Sequence, residues 1–198
     1  MLKELYEKFK KLSDINNRSY MGSYAPLDFE GTDISDPRFK AIYQRCKKYC
    51  QVAQKVNGIG IYLYGESGTG KTHLALCMAN ELIQEYAVYY TTLSEIFKDI
   101  KENRDTISSY TDADFLFIDD IGTESINDWL NEVLYEIVNE RYIQRKPTIY
   151  TSNYSLSELV KKGVSSKTLD RINEVSEIMR VEGQNYRLKK KAEREKLF

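Results

Sequence analysis

The residues with the clearest chemical capacity lie in one glycine-rich segment. It reads Gly65-Glu66-Ser67-Gly68-Thr69-Gly70-Lys71-Thr72 and fits the pattern G-x-x-x-x-G-K-[ST]. Such glycines let backbone N–H groups turn towards phosphate oxygens, the lysine reaches the β- and γ-phosphates, and the threonine hydroxyl is a ligand for Mg²⁺. We therefore predict that these eight residues and the adjoining His73 bind a nucleoside triphosphate, with Lys71 catalytic and Thr72 a metal ligand.

Two acids and an amide complete this prediction. Asp119 and Asp120 follow the apolar run Phe115-Leu116-Phe117-Ile118, and Asn153 follows the apolar run at residues 148–151. In open α/β sheets, ligands bind at the carboxyl ends of the strands, which is also where the glycine-rich segment would lie. We expect Asp119 to hold Mg²⁺, Asp120 to polarise an attacking water, and Asn153 to orient water or phosphate.

Two arginines late in the chain, Arg171 and Arg187, are further catalytic candidates. A guanidinium group can stabilise the negative charge that develops as a γ-phosphoryl group leaves. Spacing alone does not separate this role from that of a solvated or paired surface arginine.

Apolar runs alternate with helix-forming segments along the chain. A strand–helix alternation of this kind predicts a parallel sheet with helices on both faces, and strands buried on both faces have continuous apolar runs. We expect strands at residues 59–64, 87–91, 115–118, 148–151 and 177–181, helices at 1–20, 37–56, 71–86, 93–103, 126–144 and 165–175, and a loop at 105–112.

The whole chain is consistent with one α/β domain. It has 198 residues, a net charge of −1 and three cysteines, which excludes a globally basic protein and a disulfide framework. The single histidine lies beside the phosphate-binding segment, which argues against a zinc site of Cys and His residues. No apolar segment is long enough to cross a membrane, so we expect a cytoplasmic protein.

Taken in order, these motifs resemble the AAA+ ATPases, and more narrowly the DnaC/DnaI helicase-loader family and the transposition helpers of the IstB type, in the IstB-like ATP-binding superfamily. The resemblance covers about residues 36–189. Besides the glycine-rich segment, it depends on residues 118–124, 139–142, 146–153, 169–172 and 182–187. It implies a P-loop NTPase fold of three layers, α/β/α, with a mainly parallel five-stranded sheet and no large helical lid. The implied domains are a helix and linker at 1–35, an ATPase domain at 36–189 and a basic tail at 190–198.

The resemblance also implies roles for single residues. Asn153 would be sensor 1, Arg187 the sensor 2 contact in the same subunit, and Arg171 an arginine finger that reaches a neighbouring subunit's ATP. ATP would then favour self-association at subunit interfaces. Because Asp120 stands where AAA+ enzymes generally have Glu, we expect slow, switch-like hydrolysis of ATP with Mg²⁺.

The partners implied are a replicative DnaB-type helicase and single-stranded DNA. Phe97, Lys98 and Lys101 lie where such proteins contact the strand, and an aromatic ring among lysines suits stacking and phosphate neutralisation. An ordinary amphipathic helix explains these three residues equally well. Two other functions remain open: a transposition helper on duplex DNA, and a small-molecule kinase that shares the phosphate-binding loop.

Overall fold

Strands and helices alternate along the part of the chain that the computed structural model describes, residues 28–195. The predicted helix at residues 1–20 lies outside this part. The strands are β1 (Gly60–Tyr64), β2 (Val88–Thr92), β3 (Phe115–Ile121), β4 (Thr148–Ser152) and β5 (Ser176–Arg180). The α-helices of the described chain are α1 (Pro37–Gln51), α2 (Lys71–Leu82), α3 (Leu93–Glu102), α4 (Ile107–Asp112), α5 (Asp128–Ile143), α6 (Leu156–Lys161), α7 (Ser166–Glu174) and α8 (Tyr186–Glu195).

The five strands form one parallel sheet in the order β2-β3-β4-β1-β5. Strand β4 therefore lies between β1, which leads into the glycine-rich segment, and β3, which ends in the two acids. This order brings the carboxyl ends of the three motif-bearing strands together at one edge of the sheet. The predicted parallel α/β fold is confirmed.

Alternating side chains of each strand enter two separate cores, one on each face of the sheet. Ile61 and Leu63 of β1 pack with α1 and α2, whereas Tyr62 between them packs with α3 and α5. The same alternation in β3 sends Phe117 to the first core and Ile118 to the second. Helices thus cover both faces, which gives the predicted three layers.

Residues 105–112 are helical, so the prediction of a loop there was wrong. A short 3₁₀ turn at Arg104–Thr106 leads into α4. The sequence is polar, but Tyr110 is fully buried in the second core. The last carbonyls of α4 also accept hydrogen bonds from distant cations, since the Lys146 Nζ donates to Thr111 and Asp112 at 3.0 and 2.9 Å. Tertiary contacts therefore stabilise a helix that local propensity does not favour.

Helix α6 follows β4 and was not predicted. Its N-terminus is a capping box, in which the side chains of Ser155 and Glu158 each accept a hydrogen bond from the other's backbone N–H. The Ser-x-x-Glu spacing is visible in the sequence and was a usable signal.

At the C-terminal end of the described chain, α8 runs across residue 189, so the domain boundary expected there falls within a helix.

No helix within residues 28–195 is long and apolar enough to span a membrane.

Arg141 of α5 is the largest fully buried side chain in the described chain. Its guanidinium donates to the Thr148 hydroxyl at 2.8 Å and to the carbonyls of Tyr110, Ala113 and Pro147 at 2.9, 2.8 and 2.6 Å. Burial lowers the pKa of Arg141 to about 10. The side chain thus ties the end of α4 to the start of β4 through neutral acceptors.

We predict that Arg141→Met destabilises the domain strongly, because the buried carbonyls of Tyr110 and Ala113 lose this donor, whereas the Pro147 carbonyl keeps the Leu116 N–H at 3.4 Å. Leaving buried polar groups unpaired costs about 1–3 kcal/mol each, so the free energy of unfolding should fall by about 3 kcal/mol or more in urea denaturation. Lys146→Met is the matched control, since Lys146 is only half buried and, like Arg141, donates to carbonyls of α4. Equal losses in the two variants would contradict this interpretation.

Candidate active site

The glycine-rich segment forms the turn between β1 and α2. Gly70 is the N-cap of α2 and has a φ of 100°, a left-handed conformation that favours glycine. A Cβ at this position would also lie 2.7 Å from Cε2 of Phe39 in α1. The loop therefore delivers the N-terminus of α2, with its unpaired N–H groups and partial positive charge, to the edge of the sheet where the acids lie.

Lys71 is buried at the mouth of this loop, with 7% of its surface exposed. Its Nζ donates to the carbonyls of Gly65 and Glu66, both at 2.8 Å, and to Oδ1 of Asn153 at 2.9 Å. Burial lowers the pKa of Lys71 to about 8, against the opposing attraction of Asp120 and Asp119. The ammonium group is thus held by neutral acceptors, which a phosphate oxygen can replace.

Asp119 and Asp120 sit in a β-bulge, which brings both of them to the site. Strand β3 pairs Ile118 with Tyr150 and Ile121 with Ser152, so two acids oppose the single residue Thr151 on β4. In an unbroken strand, consecutive side chains alternate between faces, and one acid would point away from the loop. Asp120 instead has a φ of 58°, uncommon outside glycine, and both acids line the same cavity.

The hydroxyl of Thr151 contacts both halves of this bulge. It accepts a hydrogen bond from the backbone N–H of Asp120 at 2.9 Å and donates to Oδ1 of Asp119 at 2.5 Å. The same Asp119 oxygen accepts from the hydroxyl of Thr72 at 3.1 Å. Burial raises the pKa of Asp119, although the hydrogen bonds from the two threonines oppose this effect.

The oxygens of Thr72 and Asp119 fit the predicted magnesium site. Mg²⁺ prefers oxygen ligands and retains several waters, so one carboxylate and one hydroxyl beside phosphate oxygens are a suitable set. Among the described residues, no group of three or more His, Cys, Asp or Glu side chains could hold a metal ion.

Asn153 connects Lys71 to the second acid. Its Oδ1 accepts from Lys71, and its Nδ2 donates to Oδ1 of Asp120 at 3.2 Å. One amide thus contacts both groups that the sequence assigned to the phosphate and the attacking water. Asn153 can contact both groups because it follows β4, and β4 lies between β1 and β3 in the sheet.

These groups open into a cavity of about 620 Å³, a size suited to a small ligand such as a nucleotide. One end is polar and is formed by the loop, the acids and Asn153. The other end is formed by residues 31–33, Phe39, His73, Leu76 and Tyr186, with Nε2 of His73 2.8 Å from the Thr32 hydroxyl. The predicted site residues that line the cavity are Ser67, Gly68, Gly70, Lys71, Thr72, His73, Asp119, Asp120, Asn153 and Arg187.

The two candidate arginines occupy different places. Arg187, at the start of α8, lines the cavity, and its Nη1 donates to Oγ of Ser67 at 3.3 Å. Arg171 of α7 does not line this cavity. Its Nε donates to Oδ1 of Asn139 at 2.9 Å, and its guanidinium lies 4.9 Å from the centre of the Tyr135 ring. It therefore packs on α5, away from the phosphate-binding loop of its own chain.

The predicted DNA-stacking role of Phe97 is wrong for this structure. The ring is 7% exposed and packs in the second core, with its centre 6.3 Å from that of Trp129. The apolar face of α3 points into the domain, and burial against α5 outweighs any exposure of this aromatic side chain. Lys98 and Lys101 are exposed on the same helix and stay candidates for phosphate contacts.

Sequence reasoning missed two residues that the site uses. Thr151 lies within a predicted strand and was not among the candidate site residues, although it is a polar residue at the end of a buried apolar run, two positions before Asn153. Asn185 donates from its Nδ2 to the Ser67 carbonyl at 3.0 Å, a contact across 118 positions that no local pattern indicates.

The chain is similar in sequence to known ATP-binding proteins and helicase loaders. The replicative helicase loader DnaI of Bacillus subtilis is 30% identical over 179 residues, which cover 80% of this chain and 58% of that protein. The insertion sequence IS5376 putative ATP-binding protein of Geobacillus stearothermophilus is 28% identical over 142 residues, or 66% of this chain and 56% of that protein. The chain thus spans a little over half the length of these curated relatives.

A crystal structure of the DnaC helicase loader shares the fold. It superposes with a TM-score of 0.70 at 21% identity, over 79% of this chain and 97% of that chain. The sequence profile of the family described as IstB-like ATP binding protein matches residues 19–194. Because this match covers nearly the whole chain, the protein belongs to the IstB-like ATP-binding family.

Proposed function

We propose that this chain is an ATP-hydrolysing switch that loads a replicative helicase onto single-stranded DNA. The observation that carries the ATPase part is the hydrogen-bonded series from Lys71 through Asn153 to Asp120. In it, an ammonium group, a polar amide and a carboxylate lie together on the lining of the cavity, which supports binding and hydrolysis of a triphosphate. The loader part is supported by the relationship to DnaI over 80% of the chain.

In this proposal, the N–H groups of the loop and Lys71 bind the triphosphate, while Thr72 and Asp119 hold Mg²⁺, which neutralises phosphate charge. Asp120 accepts a proton from the attacking water, and Asn153 fixes the position of that water relative to the phosphate. The carboxylate of Asp120 is already bound by Asn153, and its backbone is held in a left-handed conformation. Such restraint holds the proton acceptor in place, and slow hydrolysis follows in this proposal from the side chain of Asp120, which is shorter than that of Glu.

Arg171 has a role between subunits in this proposal. Its guanidinium lies away from its own cavity, on the partly exposed rings of Tyr135 and Tyr142, which supports a contact with the ATP of a neighbouring copy. A contact of this kind makes ATP an assembly signal, because the nucleotide is then shared between two chains. Exposed Lys98 and Lys101 supply charge for the DNA backbone.

A transposition helper that acts on duplex DNA is the second candidate. It is favoured by the family description and by the relative from insertion sequence IS5376. The ATPase chemistry is common to both candidates, so the preferred DNA and the protein partner separate them.

The proposed function predicts stimulation of ATP hydrolysis by single-stranded DNA and retention of a replicative helicase hexamer in a pull-down with ATP. Arg171→Ala should abolish retention, because the assembled state needs the contact between subunits, and Arg45→Ala is the control for loss of a surface arginine. Stimulation by duplex DNA alone would favour the transposition helper. Absence of helicase contact with the full-length protein would overturn the loader proposal.

The position of Thr151 predicts a specific loss in turnover. Thr151→Val keeps the shape of the side chain but removes the hydroxyl that positions both acids. We expect a fall in kcat of about 10²-fold, the size associated with a displaced general base, with ATP affinity changed little in a fluorescence titration. Thr151→Ser keeps the hydroxyl and should stay within about threefold of the wild type. Unchanged kcat in the valine variant would contradict the positioning role.

The lowered pKa of Lys71 predicts proton uptake on ATP binding. Above about pH 8 the free protein loses this proton, whereas the bound triphosphate favours the charged form. ATP affinity should therefore fall by up to about tenfold per pH unit above pH 8. Titration calorimetry at pH 8.5 in buffers of different ionisation enthalpy measures the uptake directly. Lys71→Arg, which stays charged, should show none, and zero uptake in the wild type would refute the prediction.

A further inference from the structure

The start of α8 makes close contacts with the phosphate-binding loop that the mechanism above does not use. Asn185 Nδ2 donates to the carbonyl of Ser67 at 3.0 Å, and the backbone N–H of Tyr186 donates to the carbonyl of Gly68 at 2.9 Å. Two successive carbonyls of the loop are thus held by the N-terminal end of one distant helix. Since peptide planes are rigid, holding a carbonyl on the outer side of the loop also directs the following N–H.

Gly68 shows how close this contact is. It has a φ of 84°, and a Cβ built on it would lie 2.3 Å from Oδ1 of Asn185. Any side chain at position 68 would therefore displace the Asn185 amide from the loop. The glycine in the middle of the phosphate-binding segment serves the packing of α8 as well as the turn itself.

The side chain of Asn185 also caps the N-terminus of α8. Its Oδ1 accepts from the backbone N–H groups of Arg187 and Leu188, both at 3.1 Å. The two ends of one amide group thus bind different elements: the oxygen binds the helix, and the nitrogen binds the loop. An undocked helix would keep the first interaction and lose the second.

The same segment is anchored on the entrance to α1. The Gln184 backbone N–H donates to Oδ2 of Asp36 at 3.1 Å, the Tyr186 hydroxyl donates to the Asp33 carbonyl at 3.1 Å, and Lys189 pairs with Asp33 at 2.8 Å. The Tyr186 ring also packs on Phe39, with ring centres 5.3 Å apart. These contacts hold the start of α8 against the loop from the opposite side.

We propose that Asn185 is a positioning residue for nucleotide binding, and that docking of α8 and occupancy of the phosphate-binding loop are thermodynamically coupled through its amide nitrogen. The inference rests on the proposed ATP binding and goes beyond it by assigning control of affinity to α8. By linkage, a nucleotide that favours the held loop also favours the docked helix to the same extent. Anything that draws α8 away from the loop would accordingly weaken ATP binding.

The experiment compares Asn185→Ser with Asn185→Ala. Serine caps helices about as well as asparagine, so it keeps the cap, but it is too short to reach the Ser67 carbonyl. If Asn185 acts only as a cap, the serine variant binds ATP like the wild type. If the amide positions the loop, both variants bind a fluorescent ATP analogue with Mg²⁺ about three- to tenfold more weakly, the effect of one lost hydrogen bond. In both, the loss should appear mainly as a rise in the KM for ATP and not as an equal fall in kcat, since the acids are untouched.

Asn127→Ala is the matched control. It removes the N-cap of α5, where the side chain accepts from the Leu130 N–H, and should leave ATP affinity unchanged. Hydrogen exchange gives a second measurement: the ATP analogue should increase protection of α8 in the wild type and less in Asn185→Ser. Equal affinity and equal protection in Asn185→Ser and the wild type would overturn this inference alone. A wild-type protein that does not bind the analogue would overturn the proposed function as well.

Discussion

Two consecutive acids can serve one site only if the alternation of their strand is broken between them. In β3 the break is a bulge in which Asp120 takes a left-handed conformation and Thr151 holds its backbone N–H. Bulges are rare in parallel sheets, and a left-handed non-glycine residue is strained. The strain is tolerated because the flanking pairs, Ile118 with Tyr150 and Ile121 with Ser152, are buried and fix the register on both sides.

The rest of the polar site follows from that bulge and from the order of the strands. With β4 between β1 and β3, the side chain of Asn153 lies within reach of both Lys71 and Asp120, and Thr151 lies within reach of both acids. The site thus has a central strand of neutral hydrogen-bonding groups between a cation on one side and two carboxylates on the other. Neutral groups in this position join opposite charges without adding to the charge that burial must accommodate.

The phosphate-binding loop is supported from outside the sheet as well. Phe39 of α1 packs against Gly70, and Asn185 packs against Gly68, so the two glycines accept contacts from two different helices. The loop is therefore held between α1, α8 and the edge of the sheet. Its shape depends on segments that stand about 30 residues before it and 115 residues after it, through packing and hydrogen bonds that have no counterpart in the motif.

Local chemistry made much of this protein predictable from its sequence. The phosphate-binding segment, the acids after a buried strand and the five apolar runs are short-range patterns, and the strand–helix alternation permits few topologies. Ser155 and Glu158 show that even the missed helix α6 had a local signal. The helix at residues 107–112 had none, because it depends on the burial of Tyr110 and on two cations, Arg141 of α5 and Lys146 of the turn before β4.

The same distinction separates the parts of the site. The sequence by itself determined which side chains are able to contact phosphate, bind a metal ion or accept a proton, because residue type and spacing specify those capacities. Only the tertiary structure decided that Asp120 turns to the same side as Asp119, that Phe97 is buried, that Arg171 lies away from its own loop and that Asn185 reaches Ser67. Each of these depends on contacts between segments far apart in the chain, and the free energy of such contacts is set by the packed domain and not by any local run of residues.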